Sequence, residues 1–138
     1  MRFVTLLVSA VVLASGATIA AAEDTTPAAC KTDHMGQMAM GSGMGAMTDM
    51  SGMNDMQKAY MAGMDKMHPA MAAGVMAADP DVAFVCGMIP HHQGAIDMAK
   101  VQLQYGKDPW VRDLAQKVID AQTGEIADMR KWLGEHAK

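Results

Sequence analysis

Residues 79–109 read DPDVAFVCGMIPHHQGAIDMAKVQLQYGKDP, and this stretch decides the fold. Asp79-Pro80-Asp81 is a break with Asp79 or Asp81 placed to cap a helix, and Asp108-Pro109 repeats the device 29 residues on. Between them the spacing predicts a helix from Val82 to about Tyr105, bent near Pro90 and stopped at Gly106. At about 100° per residue, Phe84, Met88, His92, Ala95, Ala99 and Leu103 share one side, the expected core face. His91 and Met98, seven apart, lie beside that stripe.

The same reading extends to both sides. Downstream, a helix is expected from about Pro109 to Glu135, with Trp110, Leu114, Val118, Ala121, Glu125, Met129 and Trp132 on its buried face. Its Lys and Arg residues fall away from that stripe. Upstream, a helix is expected from about Asn54 to Ala78, capped by Asn54 or Asp55 and interrupted or kinked by Pro69 just after His68. No alternating β-pattern of any length occurs. Residues 54–138 therefore read as an all-α domain, a small antiparallel helical bundle.

What precedes the bundle has a different character. Residues 1–22 carry a positive start at Arg2, an apolar run from Phe3 to about Ala14, and Ala20-Ala21-Ala22 as a cleavage pattern, so a secretory signal peptide is expected. The run is too short, and too soon broken by Ser15 and Gly16, for stable membrane insertion. Residues 23–53 hold Gly, Met, Ser and Asp without a large aliphatic residue and read as a flexible Met/Gly-rich arm. Loss of the signal leaves ten basic against 15 acidic residues, a net charge of 10 − 15 = −5, which argues against nucleic acid as a partner. The expected location is a bacterial periplasm.

Methionine is the conspicuous residue. Thirteen of the 17 methionines fall between Met35 and Met76, many of them three apart, in a segment almost free of Leu, Ile and Phe. A thioether is a soft ligand suited to Cu(I), and by the same softness to Ag(I). Met-rich surfaces also serve as adaptable protein-binding grooves.

Four clusters carry candidate chemistry. In the first, Met88 and His92 stand one helical turn apart, and His91 points to the side toward the line of Met98. Neutral imidazole ligates Cu, Zn and Fe, whereas two ordinary histidines, one buried and one exposed, are the bland alternative. The second cluster is Gln122, Glu125 and Met129. A carboxylate within an apolar stripe needs a partner, so Glu125 is expected against the histidine helix, either as a ligand or as the acceptor orienting a metal-bound His92. A plain hydrogen bond to a buried His or Trp N–H serves equally. The third cluster, Tyr60, Met61, Met64, Met67, His68 and Met71, shares one helical face and must also supply packing, with His68 and Met71 the better ligand candidates. The fourth is the arm, with His34, Met35 and its M-x-x-M repeats. Thioethers carry no proton, so such sites would keep Cu(I) at lower pH. The two cysteines, Cys30 and Cys86, either pair as a disulfide in an oxidising compartment or act as thiolate ligands.

The stretch from Asp81 to Phe84 and from Met88 through His91-His92-Gln93-Gly94-Ala95-Ile96-Asp97-Met98-Ala99 resembles the signature of the domain of unknown function 305 family. Leu114-Ala115-Gln116, Gln122, Glu125-Ile126, Met129 and Trp132-Leu133 resemble its second block. The resemblance covers about residues 57–134. It implies a ferritin-like helical bundle and a periplasmic or secreted copper-binding protein. The ligands it implies are His91, His92, Met88, Met98 and Met129, with Met64, Met67, His68 and Met71 in the family's upstream block.

The expected function is sequestration or transfer of Cu(I) in copper resistance, without catalysis, with copper ions and a periplasmic copper transporter or efflux component as partners. A metal-dependent oxidase and a Met-rich interaction module are the alternatives. A di-iron site would need repeated Glu-x-x-His motifs, and here Glu125 is followed at the third position by Asp128.

Overall fold

The computed structural model describes residues 27–30 and 50–137. Among these residues it is all-α, with three α-helices and no strand: α1 (Asp55–Gly74), α2 (Pro80–Tyr105) and α3 (Pro109–His136). Short 3-10 turns cover Ala28–Cys30 and Met50–Gly52. The expected signal peptide, most of the arm, and the candidate ligands His34 and Met35 lie outside the described residues.

Local signals set the helix starts. The Asn54 side chain accepts from Gln57 N while Gln57 Oε1 accepts from Asn54 N, both at 2.9 Å, a reciprocal capping box. Asp79 Oδ1 accepts from the amides of Asp81 and Val82, and Asp108 Oδ1 accepts from Val111 N at 3.0 Å. Prolines at the first turns of α2 and α3 complete the pattern. Arg112 Nη1 donates to the carbonyls of Leu103 and Gly106, satisfying the open C-terminal end of α2 from the next helix.

Of the interruption or kink expected at Pro69, the interruption does not occur: α1 continues through it, and α2 runs through Pro90 as one helix, as expected. Each proline removes one backbone bond. Pro69 lies on the exposed side of its helix, where the ring has room and the freed carbonyl belongs to exposed Asp65. The upstream helix also ends at Gly74 rather than Ala78.

Contacts along α1 and α2 run in opposite senses. Tyr60 meets Gln102, Gly63 lies against Asp97, Met67 against Gly94, and Gly74 against the Cys86–Gly87 backbone. A Cβ at Gly74 would stand 2.5 Å from the Cys86 carbonyl carbon and 2.7 Å from Gly87 N, so only glycine permits this approach. The α2–α3 pair is antiparallel by the same criterion, since His92 reaches Glu125 while Leu103 meets Arg112. Both outer helices pack on α2 and scarcely touch each other. The result is a helical layer with α2 in the middle, and the core is correspondingly thin. It consists of Ile89, Ile96, Ile126 and Leu133 with the two cysteines.

Cys30 and Cys86 form a disulfide, with their Cα atoms 5.4 Å apart and both residues buried. This decides between the two alternatives the sequence left open, and neither sulfur is a thiolate ligand.

Two expected stripes are corrected. Phe84, Trp110 and Leu114 are 66%, 70% and 44% exposed, and the Glu125 side chain is 55% exposed rather than buried. On α3 the buried line is Ala115, Ile126 and Leu133, with Ile119 and Met129 half-buried beside it, one residue around the helix from the expected face. On α2, Gly87, Gly94 and Val101 face α1, while Ile89 and Ile96 belong to the core shared with α3. A middle helix has two seams, and a single-stripe reading places its face between them.

Candidate metal-binding face

The two seams leave α2 with two free sides. One carries Cys86, Gln93, Asp97 and Lys100 and holds the disulfide. The opposite side, at helical spacings of 3 and 4, carries Phe84, Met88, His91, Ala95, Met98 and Gln102. Phe84, His91 and Met98 are exposed there, Met98 at 47%.

Neighbouring helices extend this second side. Tyr60 Oη donates to Gln102 Oε1 at 3.4 Å and so marks where α1 joins it. Met64 and Met71 stand four and eleven residues beyond Tyr60 on the same side of α1, both half-buried, and His68 is exposed at the rim. Met67, seven residues beyond Tyr60, shares that face but is engaged in packing. Its sulfur lies over Gly94 in the α1–α2 seam, where it fills the space a side chain would take. From α3 come Glu125 and Met129, the latter half-buried against the core. Of Met64, Met67, His68 and Met71, Met67 is thus a packing residue, while Met64 and Met71 are half-buried and His68 is exposed on the same helix.

His92 is the best-defined member. Its Nδ1 donates to the Met88 carbonyl at 2.9 Å, and its Nε2 lies 2.8 Å from Glu125 Oε2. Both contacts are to oxygens, so both ring nitrogens of His92 are engaged by the fold. The expectation that Glu125 stands against the histidine helix is met, and its partner is His92. The carbonyl contact fixes ring orientation through Nδ1, the arrangement by which a ligating histidine presents Nε2. A metal at Nε2 would displace the contact with Glu125. His91 lies beside it, ring centroids 5.8 Å apart and nearly edge-on.

Among the described residues no three His, Cys, Asp or Glu side chains gather as a metal-holding group. Nearby, Gln122 Oε1 is buried with no hydrogen-bond partner.

Sequence reading passed over His136. It stacks on Trp132 with centroids 4.7 Å apart, and its Nδ1 donates to the Trp132 carbonyl. The signal was available, because an aromatic residue and a histidine four apart near a helix end meet on one face.

The family model described as "Domain of unknown function (DUF305)" matches residues 16–133, and the chain belongs to that family. It is 42% identical over 55 residues to "Uncharacterized protein L153" of Acanthamoeba polyphaga mimivirus. The match spans 40% of this chain and 36% of that relative.

Proposed function

We propose that this member of the domain of unknown function 305 family binds Cu(I), and by the same chemistry Ag(I), for sequestration or transfer in copper resistance. The observation that carries the reading is the open side of α2. It leaves the thioether of Met98 and the imidazole of His91 exposed, with half-buried Met88 on the same side. Around these, His92, Glu125, Met64, Met71, His68 and Met129 offer further ligands from all three helices. Soft sulfur with imidazole suits Cu(I) over Mg, Ca or Mn. The reading is non-enzymatic, and it draws on the implied ferritin-like kinship with the cyanobacterial periplasmic copper-binding protein CopM.

The proposed location is the periplasm. The buried disulfide supports it, because such bonds persist in oxidising compartments. A periplasmic copper transporter or efflux component is the proposed exchange partner.

The test is an anaerobic Cu(I) titration against a chromophoric chelator, with Zn(II) as control. Tight binding of Cu(I) with little Zn(II) is expected, and His91→Ala with His92→Ala weakens the tightest site while the circular dichroism stays helical. Failure to compete for Cu(I) sinks the proposal. A second reading is favoured by Phe84, 66% exposed on the same side: the face docks a protein partner. Partner capture that is indifferent to copper would select it.

A further inference from the structure

The other side of α2 carries a separate feature. A cavity of about 320 Å³ opens beside the disulfide, and its walls come from all three helices and the Pro27–Cys30 segment. Three cationic residues from three different helices line it: Lys66 from α1, Lys100 from α2 and Arg130 from α3. Asp97 is the single acid in the lining, so the cavity carries a formal charge of 3 − 1 = +2. The whole chain is −4, with 15 acids against 11 bases, and so the concentration of positive charge here runs against composition.

The acid is already engaged. Gln93 Nε2 donates to Asp97 Oδ1 at 3.1 Å, and Lys100 Nζ stands 3.9 Å from the same oxygen, a loose contact. Lys66 and Arg130 have no ion-pair partner among the described residues. Outside the cavity, Lys117 pairs with Asp113 at 2.6 Å, the one such lysine–carboxylate contact among the described residues. Three exposed cations lining one concavity give it a positive local potential that an anion would neutralise. The shape is fixed rather than incidental, because the disulfide staples the Pro27–Cys30 wall to α2 and the tight glycine seams set the distance between α1 and α2.

We propose that this cavity binds a small multivalent oxyanion, with the Arg130 guanidinium supplying a two-pronged contact and Lys66 and Lys100 supplying point charges. The site is independent of the copper reading, since it lies on the opposite side of α2 and uses none of the proposed metal ligands. Phosphate and carboxylate oxygens share the required chemistry.

The experiment titrates the purified protein with inorganic phosphate and, in parallel, with citrate, at ionic strength matched by sodium chloride, following backbone amide resonances by NMR. Saturable shifts at Lys66, Gly94, Lys100 and Arg130 are expected, absent with chloride alone. The tighter of the two anions identifies the head group. Losing a hydrogen bond to a charged group weakens binding about tenfold or more, so Arg130→Gln should show at least that loss, and Lys66→Gln a smaller one. Asp97→Asn should tighten binding, an outcome that general damage to the fold does not produce. Non-saturating shifts, equal shifts with chloride, or unchanged affinity in Arg130→Gln would overturn the proposal.

Discussion

The two free sides of α2 use sulfur in opposite ways. Cys86 is 2% exposed and covalently joined to Cys30, whereas Met98, a little over three turns along and on the other side, is 47% exposed and bonded to nothing. One side is closed and stapled, with cations around a cavity. The other is open, with thioethers, imidazoles and one carboxylate. A helix between two neighbours has room for both, because its seams with α1 and α3 occupy the flanks. Stability should therefore depend on the stapled side and the seams, and soft-metal binding on the open side.

The largest effect should come from the staple. The disulfide joins residues 56 apart, and opening a loop of that length restores chain entropy to the unfolded state worth about 4 kcal/mol. Urea unfolding with and without reductant measures it. The thin core leaves little to offset the loss, so a reduced protein as stable as the oxidised one would break the assignment of stability to this side.

Next come the seams. Ile96→Ala removes a buried side chain from the small core and should cost about 3 kcal/mol. Gly74→Ala places a methyl against the Cys86–Gly87 backbone and should cost about 2 kcal/mol by forcing α1 away from α2. Both are read from urea midpoints at constant slope. A neutral Gly74→Ala would mean that α1 can shift along or away from α2 without loss.

These numbers show which parts of the fold were legible in sequence. Helix starts were, because Asn54, Asp79 and Asp108 act on amides two or three residues away and need no tertiary information. The phase of the stripes was not. Trp110 and Leu114 drew the α3 face toward themselves, although Ile119, Ile126 and Leu133 at intervals of seven recorded the true line. The same stripe places Glu125 in the interior, yet its pairing with His92 is legible, since that needs only the two helices to be adjacent. The disulfide and the cation-lined cavity depend on distances between segments far apart in sequence, and no local pattern records those.

A smaller effect separates the His92–Glu125 contact from both sides. Glu125 is more than half exposed, so the ion pair contributes within about 1 kcal/mol. Glu125→Gln should thus change stability little. Its effect on metal distinguishes two roles for the carboxylate. If Glu125 only orients or competes for Nε2, removing its charge leaves Cu(I) affinity the same or higher. If it is a ligand, affinity falls. The chelator competition reads this directly.

The smallest stability effects should lie on the open side, and they test the comparison most sharply. Phe84 is the larger side chain, but at 66% exposure its replacement by Ala should alter stability by no more than about 0.5 kcal/mol, against about 3 for Ile96→Ala on the same helix. Met98→Leu keeps the apolar volume and removes only the sulfur, so its urea midpoint should stay within error. Cu(I) affinity should nevertheless fall in Met98→Leu and hold in Phe84→Ala. A Met98→Leu protein that loses stability would make Met98 a packing residue, and one that keeps its full Cu(I) affinity would take the thioether out of the site.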